Sequence, residues 1–488
     1  MAKPRLRLFP PHLDSPLTKR EAEALASDPS KVASHPFYPF LQRKQRWTQF
    51  APKGATPEEV KVKERPIRYA SRRDSYIFGH YRELLNPLYE KELARLGLTR
   101  CVLAYRRVCR EDSPAGKCNI HFASDAFNAI RQYGNCCAIA LDIHQFFENL
   151  DHQQLKKMWW RLLGSPVQRL KSALLPEDHF QVFKAVTSYS FIDRERAYMA
   201  LGLIGEVESE DGLKRIAYVP KRGDFPKQIC DPKAFHKMLA LKDADGKGIL
   251  EHNLNPFGIP QGSPISDLLA NLYMIDFDKV MNDLISAQGG KYLRYSDDIL
   301  IILPEPCCDW QHIVAETRSA LINNAPRLIL KDGKTQIYRF RRAEPSEDQE
   351  NVVLSASRRT QGLEYLGFRY DGKRIYLRNS TVSGIHRKIT ALAKRMAHRH
   401  VKEHPTHNLR QLVDTFNYDL LISKFGRVKN FDDSEKSYTA WTFWTYVRRS
   451  SKILGKLGSS VSRQFKNYKD LSRKKARKAL ERAYSHLP

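Results

Sequence analysis

The chain has 488 residues, with 82 Lys and Arg against 54 Asp and Glu, a formal net charge of +28. An excess this large points to a polyanionic partner, of which nucleic acid is the commonest. The 42% hydrophobic and 10% aromatic content supplies real cores and excludes a disordered basic tail. No run of about 18 apolar residues occurs, so a membrane-spanning helix is not expected. The basic, Pro-containing stretch Met1 to Arg20 lacks the apolar core of a secretory signal.

The eight cysteines are Cys101, Cys109, Cys118, Cys136, Cys137, Cys230, Cys307 and Cys308. None forms a Cys-x-x-Cys pair and two pairs are directly adjacent, which argues against a structural zinc site and a disulfide framework. Reduced, mostly buried thiols of a cytosolic protein are the expectation.

In chain order, residues 1–60 read as an extended basic arm with one helix around Lys19 to Ala26. From about 61 to 380, short apolar strands alternate with helices in an α+β pattern. Two polar stretches, about Gly205 to His252 and Ala343 to Asn351, read as surface insertions or loops. From Ile385 onward the pattern is helical and one-signed, with 24 Lys and Arg against 8 Asp and Glu.

Three segments carry chemistry. Ala138 to Leu141 is an apolar run ending at Asp142, which predicts a buried strand presenting a carboxylate at its end. Asp151, with Gln154 three residues on, resembles a capping box that opens a helix through Met158, Trp159 and Trp160 and stops at Gly164. Phe257 to Asn271 holds Gly258 and Gly262, which permit close backbone approach. Within it Ser263 and Pro264 read as N-cap and first turn of a helix burying Leu268, Leu269, Leu272, Ile275 and Phe277. Tyr292 to Leu303 reads as a hairpin with Ser296, Asp297 and Asp298 at its tip. Two adjacent carboxylates repel between buried strands, and a divalent cation removes that cost.

The order of one Asp, a Gly-rich loop entering a helix, and an Asp-Asp hairpin resembles the palm of a reverse transcriptase. Asp142 matches its motif A, Gly258 to Ser266 its motif B, and Tyr295-Ser296-Asp297-Asp298 its Tyr-x-Asp-Asp box. The resemblance implies an α+β right-hand polymerase. Its parts would be an N-terminal basic arm (1–60), fingers (61–137), a palm (138–380, with an insertion at about 205–252) and a basic helical thumb and tail (381–488). It implies two Mg²⁺ ions, replaceable by Mn²⁺, held by Asp142 and Asp297 with the Ile143 carbonyl, and supported by Asp298. Arg65, then Lys63, would grip the incoming triphosphate. Gln261 in motif B would contact the nucleotide, and Lys334 in a motif D-like stretch could protonate pyrophosphate. Phe147, five residues after Asp142, stands where an aromatic ring excludes a ribose 2′-hydroxyl, which favours dNTPs. One of Phe146 and Phe147 is core. Ala104 to Arg106 and Gly116 to Ile120 resemble a second fingers block. Tyr365-Leu366-Gly367-Phe368 resembles the primer grip. The resemblance covers roughly 61–380 and reaches the thumb only by position and charge.

No acidic RNase H pattern follows, and no protease, integrase or His/Cys endonuclease segment is present. The spellings differ from those of group II intron and retron enzymes, and Asp142 and Gly258 stand 116 positions apart. These features look most like the bacterial defence-associated, "unknown group" reverse transcriptases. That resemblance implies cDNA synthesis on a noncoding RNA in antiphage defence, in the bacterial cytoplasm, with a homo-oligomer allowed. A group II intron- or retron-like enzyme and a non-catalytic RNA-binding maturase are the alternatives. Some relatives prime from a protein hydroxyl, and Tyr484, after the basic run Arg473 to Lys478, is a candidate acceptor.

Overall fold

The computed structural model describes residues 10–48, 56, 62–164, 175–208, 214–221, 223–242, 246–305, 309–357, 361–426 and 442–485. The chain divides into two units. The first comprises 1–105, 143–282 and 315–330; the second comprises 106–142, 283–314 and 331–488.

The first unit contains a four-stranded sheet ordered Val62–Tyr69, Phe40–Thr48, Ser190–Asp193, Leu250–His252. Phe40–Thr48 runs antiparallel to Val62–Tyr69 along its whole length, but meets Ser190–Asp193 only through Phe40, Leu41 and Gln42. The 24-residue helix Arg72–Arg95 starts at an N-cap, Ser71, whose side chain accepts from Asp74 N–H. The helix predicted after Asp151 is present as His152–Leu162: the Asp151 carboxylate accepts from Gln153 and Gln154 N–H. Gly164, with φ +72°, follows its end.

Two stretches differ from their sequence reading. Lys19–Ala26 is a helix as expected, but residues 10–48 are not an extended arm. Leu13 and Leu41 are buried in one core with Ile192, Ala197, Tyr198, Ile229, Met238 and Ile249. Buried Asp14 accepts from the Arg72 guanidinium and from Arg73 N–H, which pins the segment to the long helix. The same core corrects the reading of 205–252 as surface insertion. That stretch forms the strand pair Ile204–Glu208 with Lys214–Tyr218, the helix Pro232–Leu239 and the strand Leu250–His252. Asp231 caps Pro232–Leu239, with proline at the first turn, so the helix start was spelled locally amid polar surroundings.

The second unit is built on a five-stranded antiparallel sheet in the order Glu350–Ala356, Gln336–Arg341, Cys136–Asp142, Asp298–Pro304, Lys291–Tyr295. Every residue of the central strand Cys136–Asp142 is buried, as its unbroken apolar spelling requires. A smaller antiparallel sheet joins Leu363–Tyr365, Phe368–Tyr370 and Ile375–Leu377. Beyond it the described residues are mainly helical, as read from the sequence pattern. Helices Asn379–Glu403 and Tyr468–Tyr484 pack through Leu480 and through Ala393, Ala397, Ala476 and Ala479, small residues that permit close approach, and half-buried Lys475 donates across to the Thr390 hydroxyl.

Among the described residues no helix is long and apolar enough to cross a membrane. Of the six cysteines among the described residues, Cys101, Cys136, Cys137 and Cys230 are buried, Cys118 is half-buried and Cys109 is exposed. Cys307 and Cys308 lie outside the described residues.

Candidate active site

Asp142 ends the central strand of the second unit, and the register places it directly opposite Asp298, the first residue of Asp298–Pro304. Directly opposed residues share one face of a sheet, with Cα atoms about 4.5–5.5 Å apart. Tyr295 also pairs with Asp298, which leaves Ser296 and Asp297 as a two-residue hairpin turn. Ser296 takes φ +61°, the left-handed value that primed hairpin turns demand at their first position. Arg294, fully buried in the preceding strand, donates from Nη1 to the Ser296 carbonyl at 3.1 Å and holds that turn. Three carboxylates, 156 residues apart in sequence at the extremes of Asp142 and Asp298, thereby converge through strand pairing alone.

Their mutual repulsion is visible in their protonation. Desolvation, then the charge of Asp142, raises the Asp297 carboxyl above its usual range. Desolvation, then Asp297 and Asp142, pushes Asp298 up to about 7, against the opposing pull of Lys334 and Arg378. Lys334 closes the short turn Asp332–Lys334 and forms an ion pair with Asp142, while Lys331 N–H donates to the Asp142 carbonyl at 2.7 Å.

This arrangement has a measurable consequence in the absence of metal. The folded-state pKa of Asp298 is raised, so its contribution to stability is full below the unfolded value of 3.8 and is lost as pH rises through about 7. In chelator, the melting temperature is expected to carry a downward step between about pH 4 and about pH 7 that Asp298→Asn flattens. Overlaying melting profiles for the two proteins would refute this electrostatic picture.

The primer-grip candidates fall in the same unit. Leu366 and Gly367 form the turn between Leu363–Tyr365 and Phe368–Tyr370, both with positive φ, +46° and +92°. Asn119 Nδ2 donates to the Leu366 carbonyl at 3.3 Å, and Arg378 N–H to the Gly367 carbonyl at 3.0 Å. Phe368 is buried and stacks on Tyr446. Tyr365 is buried, and desolvation, then the charge of Asp298, lifts its phenol well above its ordinary range. Arg294 and Arg378 therefore act on the carboxylate hairpin, which in turn acts on Tyr365, and the sequence reading assigned them no such role. The one local signal was Arg294, a cation between Leu293 and Tyr295 just before the Asp-Asp pair. Tyr484 ends the helix Tyr468–Tyr484 and is 37% exposed.

The remaining candidates lie in the first unit. Ile143 bridges Leu330, and the flanking bond runs from His144 N–H to the Ile329 carbonyl at 2.9 Å. Phe146 is the core residue of its pair, whereas Phe147 is half-buried with its ring 6.3 Å from that of Tyr105. The loop after Phe257 is pressed between two segments. Gly258 and Ile259 N–H donate to the Leu150 and Phe147 carbonyls, each at 2.8 Å, and Arg68 N–H donates to the Gln261 carbonyl at 2.9 Å. This ties Phe147, Gln261 and the strand bearing Lys63 and Arg65 into one hydrogen-bonded cluster. The helix expected from Pro264 begins instead at Ser266. Ser263 makes no cap, and Ser266 Oγ donates to the Pro260 carbonyl at 2.8 Å. The tight fit of Gly262 against Arg68 governs this stretch and overrides the local Ser-Pro signal.

The carboxylate group fits a divalent ion of the Mg²⁺ kind. Among the described residues no three His, Cys, Asp or Glu side chains form a complete cage. Mg²⁺ seldom uses one: it is held by one or two carboxylates plus water and substrate phosphates. The Lys334 ammonium already supplies Asp142 with the positive charge that such a site calls for.

Residues 224–370 match the family model described as reverse transcriptase (RNA-dependent DNA polymerase). The matched stretch contains Gly258 to Ser266, Asp297, Asp298, Lys334 and Leu366 to Phe368, while Asp142, Lys63 and Arg65 precede it. No curated protein matches. Among solved structures, telomerase from Candida albicans in complex with a TWJ fragment of telomeric RNA is similar at 12% identity, over 96% of this chain and 66% of that one, with a TM-score of 0.34. Telomerase from Candida tropicalis in complex with the same kind of RNA fragment gives 11%, 96%, 68% and 0.34. The C-terminally truncated apo telomerase of Candida tropicalis gives 12%, 65%, 53% and 0.31. The chain thus spans 53–68% of the length of those proteins, and likenesses this distant carry nothing further. Residues 224–370 are a reverse-transcriptase domain, and the catalytic class it defines is the RNA-directed DNA polymerase, a nucleotidyltransferase. The mixed helix–sheet architecture around it is of the α+β right-hand polymerase type.

Proposed function

We propose that this chain copies an RNA template into cDNA by template-directed nucleotidyl transfer at Asp142, Asp297 and Asp298. The observation that carries this reading is the pairing of Asp142 with Asp298 beside the Ser296–Asp297 turn, in a chain with a reverse-transcriptase domain. Divalent ions bound there would lower the pKa of a primer 3′-hydroxyl and neutralise the departing pyrophosphate. The protein's own part is to gather the negative charge. Asp142 and Asp297 are the primary ligands, the Ile143 carbonyl a further one, and Asp298 supports them electrostatically. Lys334 leaves Asp142 for the leaving group, to which it donates a proton. Arg65 and Lys63 hold triphosphate, Gln261 contacts the nucleotide, and the turn Leu366–Gly367 with Phe368 steadies the primer. Residues 61–137 serve as fingers, 138–380 as palm and 381–488 as a basic thumb whose grip on duplex weakens with salt.

The spelling of its motifs supports a domesticated, defence-associated enzyme that copies a noncoding RNA. Sequencing of the RNA and DNA that co-purify with the wild type and with Asp297→Ala tests this. A discrete bound RNA, with complementary DNA in the wild type alone, is the expected result. Heterogeneous RNA, or equal DNA in both, overturns it.

Phe147 makes the sugar preference testable by itself. Replacing the half-buried ring by the smaller Phe147→Val opens space for a 2′-hydroxyl. The ratio of rNTP to dNTP incorporation should rise by about 10- to 100-fold in single-nucleotide extension, the range that one shape change in a pocket commands. An unchanged ratio removes Phe147 from that role.

A further inference from the structure

In the second unit, the helix Phe443–Ile453, the short helix Ser459–Arg463 and the start of the helix Tyr468–Tyr484 enclose a recess of about 270 Å³. Its walls are aromatic. Phe465 and Tyr468 are buried and stacked on each other, with ring centroids 4.7 Å apart and planes 8° apart. Phe443 meets Phe465 edge-on at 4.8 Å. Half-buried Trp444 supplies the wall from the first helix, with the Arg448 guanidinium 5.4 Å over its ring. Exposed Arg463 and Lys466 bring positive charge to the same recess, and no carboxylate stands among the described residues that line it. The helix Tyr468–Tyr484 begins there without a side-chain cap from Asn467, so its first N–H groups add to the positive potential. Asp470, in the first turn of that helix, forms an ion pair with Arg473 at 3.8 Å.

We infer that this recess binds a single nucleotide, with its base against the aromatic walls and its phosphate on Arg463 and Lys466. The chemistry selects the ligand. Aromatic walls and paired cations call for a flat ring and an anionic group together, and a nucleotide carries both. A free phosphate or an acidic side chain would leave the aromatic walls unmatched. A duplex is excluded by size, because a recess of this volume takes one small molecule. The Phe465–Tyr468 stack is in place before the ligand arrives, so little side-chain freedom is lost on binding. A free nucleoside monophosphate and one nucleotide swung out of a strand offer the same groups. None of these residues belongs to the proposed catalytic set, and the site stands whether or not the polymerase reading does. Its walls also support the smaller sheet. Tyr446, on the helix of Trp444, stacks on Phe368. Gln464, beside Arg463, accepts from Leu377 N–H at 2.8 Å and donates to the Leu377 carbonyl at 3.3 Å. A ligand joining Trp444 to Arg463 therefore ties the two supports of that sheet together.

The test uses the full chain in chelator and two probes whose fluorescence is quenched when the base stacks: 2-aminopurine riboside 5′-monophosphate, and a short RNA carrying 2-aminopurine at its centre. Saturable quenching is expected in the wild type. Trp444→Leu should weaken it by about 5- to 150-fold, the value of stacking one base. Arg463→Gln, at an exposed position that leaves the fold intact, should remove the preference for the monophosphate over the unphosphorylated riboside. Arg65→Ala, in the other unit, should change nothing. Tighter binding of the free monophosphate identifies a small-molecule effector, and tighter binding of the RNA probe identifies a nucleotide extruded from a strand. The inference is overturned if neither probe is quenched, or if either Trp444→Leu or Arg463→Gln binds both probes as the wild type does. Loss of quenching in Arg65→Ala also overturns it, because the probe then occupies the triphosphate residues instead.

Discussion

Asp297→Ala is expected to lower Mg²⁺-dependent dNTP incorporation by on the order of 1,000-fold or more, because the residue's task is to hold charge where the reaction develops it. The fold should survive. Asp297 sits in a two-residue turn that Arg294 secures through the Ser296 carbonyl, and no strand pairing depends on its side chain. The protein should even gain stability without metal. Asp297 is the largest charge raising Asp298, and it is itself raised by burial and by Asp142, so its removal relieves repulsion that hydrogen bonds and nearby cations offset only in part. Two measurements on one preparation check this: single-turnover extension with Mg²⁺, and melting in chelator near pH 8. Near-normal extension, or a lower melting temperature in the variant, would sink the assignment. Asp297→Asn is the isosteric companion. It should lose activity equally while leaving a side chain of the same size in the turn, which separates charge from shape.

The chemistry of that cluster was legible because buried strands spell themselves in unbroken apolar runs. Ala138 to Leu141 and Ile299 to Leu303 leave no reason for an Asp at their ends except one imposed by function. What local spelling could not contain was the register that sets Asp142 against Asp298, a contact between strands far apart in the chain. For the same reason the Lys334–Asp142 ion pair, the pull of Arg378 on Asp298 and the effect of Asp298 on Tyr365 emerge only from tertiary pairing. The errors ran in one direction. Polar, proline-rich spelling predicts an extended arm over 1–60 and surface over about 205–252, yet the described parts of each bury a few apolar residues that meet in one core. A segment needs only Leu13, or Ile229 and Met238, to be drawn inside, and such sparse anchors do not outweigh charge in composition. At Ser263 and Pro264 a valid local capping signal lost to a backbone contact with Arg68, 194 residues away along the chain from Gly262.

That contact makes Gly262 the most constrained position of the loop. Its φ is +119°, where L side chains are strained, and an added Cβ would lie 2.6 Å from the Arg68 carbonyl oxygen. The obstruction is backbone, so no side chain can swing aside. Arg68 cannot retreat cheaply either, because its own N–H donates to the Gln261 carbonyl one residue away. Loop and strand are locked in both directions, and Gly262→Ala must either break that hydrogen bond or distort the Val62–Tyr69 strand. A cost of about 2–4 kcal/mol follows from left-handed strain together with a lost contact. Gly223→Ala, where an added Cβ meets nothing within 4 Å, should be neutral to within about 0.5 kcal/mol. The functional effect should exceed the thermal one. Gln261 and the strand carrying Arg65 would shift together, so the KM for dNTPs should rise even at temperatures where Gly262→Ala is fully folded. Equal denaturation midpoints for the two glycine variants, or a destabilised Gly262→Ala with unchanged KM, would separate this loop from nucleotide binding and leave it a purely structural joint.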